Sequence, residues 1–241
     1  MNKYYGLVIS LIAGLSTLIG YFSIYMKGDK EKNISVFLSF TSGVMITLSI
    51  IDLIPTGIES LSKFSNSIKL LICLIAFFIG LFLTHIIRNK YNSDNNLYKT
   101  GIMSMVAIVL HNIPEGIATY ILSSINIKLG ILFSVAIILH NIPEGITISI
   151  PIYYSTNSKT KAFIYTLVSG FSEFIGALLT MLILYNFINK TIIGILFCFI
   201  SGIMVYIGYE LIQLTMQFKN DYIYFIFGDL FVLLIEIILK I

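Results

Sequence analysis

Eight apolar stretches of bilayer-crossing length, joined by short polar connectors, constrain this chain more than any other feature. They run from Tyr4 to Met26, Ile34 to Ser60, Ser67 to Ile87, Lys99 to Ser124, Leu129 to Tyr153, Lys161 to Phe187, Thr191 to Gln217 and Tyr222 to Leu239. A helix needs about 20 apolar residues to cross a hydrocarbon layer about 30 Å thick, and each stretch approaches or exceeds that. Connectors such as KGDKEKN (Lys27 to Asn33) and RNKYNSDNNLYK (Arg88 to Lys99) leave no room for a soluble domain, so residues 1–241 are expected to form a single transmembrane domain.

Composition supports this. The chain is 57% hydrophobic and 11% charged, with a mean hydropathy of +0.95, against roughly 25% charged residues in soluble domains. No water-soluble fold hides that much apolar surface. The first span begins almost at Met1 without a small-residue cleavage signature and is expected to be a retained helix. A net charge of +3, spread over the loops, provides no basic stripe and excludes nucleic acid as a partner. Cys73 and Cys198 stand alone in apolar spans, without CxxC spacing, and are expected to serve packing. With no Trp, the 15 Tyr must supply any interfacial belt.

Eight spans place both termini on one side. Loops one, three, five and seven carry Lys27, Lys30, Lys32, Arg88, Lys90, Lys99, Lys159, Lys161 and Lys219; the other face carries Lys3, Lys63, Lys69, Lys128, Lys190 and Lys240. The positive-inside rule makes the odd loops cytoplasmic and both termini external. The expected location is the inner (cell) membrane.

An internal repeat locates the chemistry. Ile108 to Ile117 reads IVLHNIPEGI and Ile137 to Ile146 reads IILHNIPEGI, 29 residues apart and differing only at Val109 against Ile138. Both lie near the centres of spans four and five, so they should meet at mid-membrane. Helical spacing brings His111, Asn112 and Glu115 onto one face, and likewise His140, Asn141 and Glu144. Each helix thus offers an imidazole, an amide oxygen and a carboxylate, a mixed set suited to Zn²⁺, Mn²⁺, Fe²⁺ or related ions. A buried Glu costs on the order of 3 kcal/mol at the centre of a membrane helix, so two such residues call for a partner.

Pro114 and Pro143 remove backbone hydrogen bonds to Leu110 and Leu139, and each helix is expected to bend or break at its motif. Gly116 and Gly145 permit close helix approach. Glu173, in the middle of span six within SGFSEFIGAL, adds a third carboxylate. One or two bound dications, bridged by Glu115 and Glu144, would relieve the repulsion.

The eight spans, the HNxPEG motif on spans four and five and the Glu of an SGxxE pattern on span six resemble the ZIP (Zrt- and Irt-like protein) divalent metal transporters, in particular their short bacterial ZupT-like branch. The resemblance covers the whole chain. It implies an all-α, 3+2+3 arrangement in which spans one to three and six to eight form inverted repeats around helices four and five. It also implies two metal positions: one using His111, Glu115, His140 and Glu144 with Met45 beside it, the other using Asn112, Asn141 and Glu173 with the two bridging carboxylates. A trace of the repeat survives in SGVM (Ser42 to Met45) before Asp52 and SGIM (Ser201 to Met204) before Glu210, although the acids differ by one position in register. Asp52 and Glu210 are candidates for lining the way in and the way out. Phe174 stands where relatives often have Pro, and the loop between spans three and four lacks the His-rich stretch of many relatives. His85 is expected to make ordinary interfacial hydrogen bonds.

The expected activity is uptake of a divalent metal into the cytoplasm, with Zn²⁺ first and Fe²⁺, Mn²⁺, Co²⁺ or Cd²⁺ tolerated, without a prosthetic group or a catalytic residue. No Walker A sequence suggests ATP coupling. The expected partners are the metal ions and the lipid bilayer, with a homodimer as the candidate assembly. Two rival readings are an intramembrane zinc hydrolase, against which Asn112 and Asn141 stand where an HExxH site would need Glu, and a membrane metal sensor that does not transport.

Overall fold

A computed structural model describes residues 4–90, 95–183, 189–216 and 221–240. It contains eight membrane-length helices: α1 (Tyr4–Tyr25), α2 (Lys30–Ser60), α3 (Asn66–Lys90), α4 (Asn96–Ile125), α5 (Ile127–Thr156), α6 (Lys159–Leu182), α7 (Lys190–Thr215) and α8 (Asp221–Lys240). The first seven are long and apolar enough to cross a membrane. α8 falls where the sequence places the eighth span and exposes Phe227, Leu230, Leu234 and Ile237 on its surface. The helices begin or end within a few residues of the expected positions. Lys3, Lys219, Phe187 and Gln217, used above for charge counting and span ends, lie outside the described residues, as do positions 91–94 of the third loop.

Short connectors work because polar side chains cap the helices. Asp29, Asn95, Ser158 and Asn189 each accept a backbone N–H at the start of α2, α4, α6 and α7, satisfying donors that a first turn leaves free. Asn157 closes α5 in the left-handed region at φ 52°. Between α4 and α5 the connector is one extended residue, Asn126, whose side chain accepts from Lys128 N at 2.9 Å. This turn sets the depth of the site. His111 lies 15 residues before Asn126 and His140 lies 14 after it, so at 1.5 Å per residue both imidazoles sit about 22 Å from the turn.

The helices group into two interlocked bundles. α1, α4, α5 and α6 pack together, as do α2, α3, α7 and α8, and α2 and α7 join the second group to α5 and α4. The joint is apolar: Leu38, Met45, Ile203 and Met204 from one bundle share a buried cluster with Met103, Ile108 and Ile148 from the other. The inverted repeat is visible in the glycine contacts. Gly43 of α2 lies against the Phe225 carbonyl of α8 as Gly202 of α7 lies against the Phe77 carbonyl of α3. Small residues at such crossings let backbones touch, which is how helices associate where lipid supplies no hydrophobic drive.

The helices do not break at the motif prolines. α4 and α5 continue unbroken through Pro114 and Pro143, because each Pro removes a single backbone bond and the turns on either side remain packed against neighbours. The irregular turns are elsewhere. α1 is interrupted at Ser16 and tightens into a 3₁₀ turn over Phe22–Tyr25. α2 contains a π turn at Ser49–Leu53, which follows SGVM and includes Asp52. A π turn takes up one extra residue, which accounts for Asp52 lying ten residues after Ser42 while Glu210 lies nine after Ser201.

Candidate metal centre

α4 and α5, paired through their one-residue turn, bring both copies of the motif into one buried cluster. His111 is 0% exposed and Glu144 is 1% exposed. His140 Nε2 lies 3.0 Å from Glu115 Oε1, and His111 Nε2 lies 3.2 Å from Glu115 Oε1 and 3.3 Å from Glu144 Oε1. Of these three contacts only that of His140 with Glu115 has hydrogen-bond geometry. Both nitrogens of His111, both carboxylate oxygens of Glu144 and Oε2 of Glu115 are buried without a hydrogen-bonding partner. Buried polar atoms without a hydrogen bond are costly and rare.

The spacing fits a metal. Four ligands at the usual Zn–N and Zn–O lengths, arranged tetrahedrally, have donors about 3.3 Å apart. In the three contacting pairs the separations of 3.0, 3.2 and 3.3 Å are of that size. The donor atoms of His111, Glu115 and His140 all lie within 4.8 Å of one another.

The remaining predicted residues surround this core. Asn141 Nδ2 donates to Glu173 Oε2 at 3.2 Å and to the Ala13 carbonyl at 2.9 Å, which links α6 and α1 to α5. Asn112 Nδ2 donates to the Ser169 carbonyl at 3.0 Å. Glu173 is fully buried on an unbroken α6, so Phe174 in place of Pro leaves a regular helix there, its ring packed on Phe171 at 5.2 Å. Met45 is fully buried and accepts from Thr147 Oγ1 through its sulfur at 3.8 Å, one turn along α5 from Glu144. Thr147, whose hydroxyl also bonds the Pro143 carbonyl at 3.1 Å, is a neighbour of Met45 that sequence reasoning did not single out.

Gly116 and Gly145 have a steric role. A Cβ on Gly116 would collide with the Glu173 carbonyl, and one on Gly145 with the Thr17 carbonyl. Backbone therefore meets backbone where the motif helices cross α6 and α1.

The outlying candidates have ordinary partners. Glu210 is 4% exposed and ion-paired with Arg88 of α3, so it is no solvated helix end. Asp52 accepts from Thr56 Oγ1 at 3.1 Å. His85 contacts the Tyr206 hydroxyl through Nδ1 at 3.2 Å and Asn89 through Nε2 at 2.9 Å. Cys73 and Cys198 are free, buried and packed in one small cluster.

Known proteins are similar to this chain in sequence. The ZIP zinc transporter family profile matches residues 90–236, which include both motif copies, Glu173 and Glu210. The zinc transporter ZupT of Streptococcus mutans is 37% identical over 221 residues, covering 84% of each chain. That of Clostridium perfringens is 34% identical over 265 aligned positions, covering 94% of this chain and 92% of the relative. That of Campylobacter jejuni is 36% identical, covering 86% and 85%. With its spans, its paired motif and this similarity along most of its length, the chain is a multi-pass membrane protein that belongs to the ZIP zinc transporter family.

Proposed function

We propose that this protein carries divalent metal, Zn²⁺ foremost, across the membrane into the cytoplasm, and that His111, Glu115, His140 and Glu144 form the first position the ion occupies. One observation carries this reading: buried imidazole and carboxylate atoms from two neighbouring helices lie 3.0 to 3.3 Å apart, the separation a tetrahedral Zn²⁺ imposes on its ligands. Asn112, Asn141 and Glu173, with the two bridging carboxylates, form a second position, and Met45 adds a soft donor beside the first. The same nitrogen and oxygen set accepts Fe²⁺, Mn²⁺, Co²⁺ and Cd²⁺ with different preference.

Each residue then has a physical task. The carboxylates replace the ion's lost hydration charge at a depth where an unpaired dication would be expensive. The imidazoles bind as neutral ligands, and the whole set takes up protons when the ion departs. The charge asymmetry of the loops supports cytoplasmic odd loops and external termini in the inner membrane. The exposed apolar strip of α3, including Leu71, Ile75, Phe78 and Phe82, suits lipid.

Zn²⁺ uptake into sealed proteoliposomes, read by an internal fluorescent chelator, tests the proposal. His140→Ala and Glu144→Ala should each reduce uptake about 100-fold, at the upper end of effects seen for groups that support a metal, with the protein still assembled. Wild-type uptake in both variants would overturn the site. Metal binding without any entry would overturn transport and favour a sensor.

A further inference from the structure

The two motif amides are held by the same device. Asn112 Nδ2 donates to the Ser169 carbonyl at 3.0 Å and Asn141 Nδ2 donates to the Ala13 carbonyl at 2.9 Å. A carbonyl only accepts, so each amide turns its NH₂ to the neighbouring helix and its Oδ1 away. Both Oδ1 atoms are buried without a hydrogen-bonding partner, on residues that are 0% exposed.

Each of those carbonyls also receives a serine hydroxyl from three residues further along its own helix. Ser16 Oγ donates to Ala13 O at 2.6 Å, and Ser172 Oγ donates to Ser169 O at 2.5 Å. The two serines occupy matching places in AGLSTLIG (Ala13 to Gly20) and SGFSEFIG (Ser169 to Gly176), segments 156 residues apart. Such back-bonding bends a helix locally and draws the carbonyl off its axis. Thr84, Thr166 and Thr180 back-bond as well. What sets Ser16 and Ser172 apart is a second side chain, the motif Asn, arriving on the same carbonyl from another helix.

We propose that Ser16 and Ser172 are a symmetry-related pair of positioning residues: by holding the Ala13 and Ser169 carbonyls they orient Asn141 and Asn112 so that the amide oxygen, and never the NH₂, faces the metal. This rests on the reading of the two amides as donors to the cargo. The two arms are unequal. Asn141 is held a second time by Glu173 Oε2, whereas the residue in α1 that matches Glu173 is Thr17. Asn112 therefore depends more on its serine than Asn141 does.

The test is Zn²⁺ affinity of purified full-length protein in detergent, by competition with a fluorescent chelator, together with metal-free thermal stability. Ser172→Ala should weaken binding about 10-fold, as loss of an outer-shell partner does, at unchanged metal-free stability. Ser16→Ala should weaken it about 3-fold, and Ser172→Thr, which keeps the hydroxyl, should restore it. Co²⁺ in place of Zn²⁺ should show altered visible absorption bands in Ser172→Ala. If Asn112→Ala weakens binding and Ser172→Ala does not, the positioning role is overturned while the site stands. If Ser172→Ala loses affinity only in step with stability and Thr fails to restore it, the serine is a packing residue and the proposal is wrong. If Asn112→Ala binds Zn²⁺ like the wild type, the amide donors themselves are refuted and the proposal falls with them.

Discussion

α4 crossing α6 and α5 crossing α1 are the same contact made twice. Asn112 and Asn141 reach the carbonyls of Ser169 and Ala13; Gly116 and Gly145 sit on the carbonyls of Glu173 and Thr17; Gly176 and Gly20 sit on those of Ile113 and Ile142. Every pair is related by a shift of 29 residues in the motif helices and 156 in their partners. The difference lies in one side chain. Where α6 presents a buried carboxylate at Glu173, α1 presents Thr17, whose hydroxyl bonds back to Gly14 O at 2.7 Å. The comparison separates two roles: the backbone crossing is symmetric and builds the scaffold, whereas the buried carboxylate is present on one side only.

The crossing itself is the most demanding element. Gly116→Ala and Gly145→Ala place a Cβ on backbone oxygen, which has no rotamer to move into. Each should cost about 3 kcal/mol or more, at the upper end for overpacked interiors, measured as the loss of thermal stability in detergent. Equal losses support the symmetry, and tolerance of one variant alone breaks it.

A smaller effect addresses the asymmetry. Glu173→Thr makes the two arms chemically alike and should lower bound Zn²⁺ from two ions per chain to one, counted by equilibrium binding with metal analysis. Thr17→Glu, the converse change, should leave the wild-type ions in place and add capacity on the α1 side. Unchanged stoichiometry in Glu173→Thr would remove the second position from the proposal.

The mildest test is pH. Metal must displace protons from its ligands. Uptake should therefore fall as the medium is acidified and recover as the pH is raised. Uptake that does not change with pH would overturn the displacement of protons by the metal.

Much of this was legible in the sequence. Hydropathy alone locates the eight helices to within a few residues, because the bilayer demands about 20 apolar residues from each and no tertiary choice relaxes that. The doubled HNIPEG motif stands out for the same reason, since charged and polar side chains are scarce in such spans. The match between AGLSTLIG and SGFSEFIG was also present, with Gly, Ser, Ile and Gly shared at four of eight positions. It passes unnoticed because small residues are common in membrane helices and nothing in one segment announces that its carbonyls receive another helix's amides. The Asp52 and Glu210 slip could not be read correctly either, since a π turn leaves no reliable mark in sequence.

The sequence by itself determined the membrane-spanning class, the number of helices, the place of the motifs along them and the kind of donors they carry. These follow from local quantities: apolar length, helical spacing and side-chain chemistry. Only the tertiary structure decided which helix each motif leans on, which way the Asn amides turn, that Glu210 pairs with Arg88 and that α4 and α5 stay whole through their prolines. Those outcomes depend on which backbone atoms approach from other helices, far away along the chain, and such approaches are set by the packing of the whole bundle.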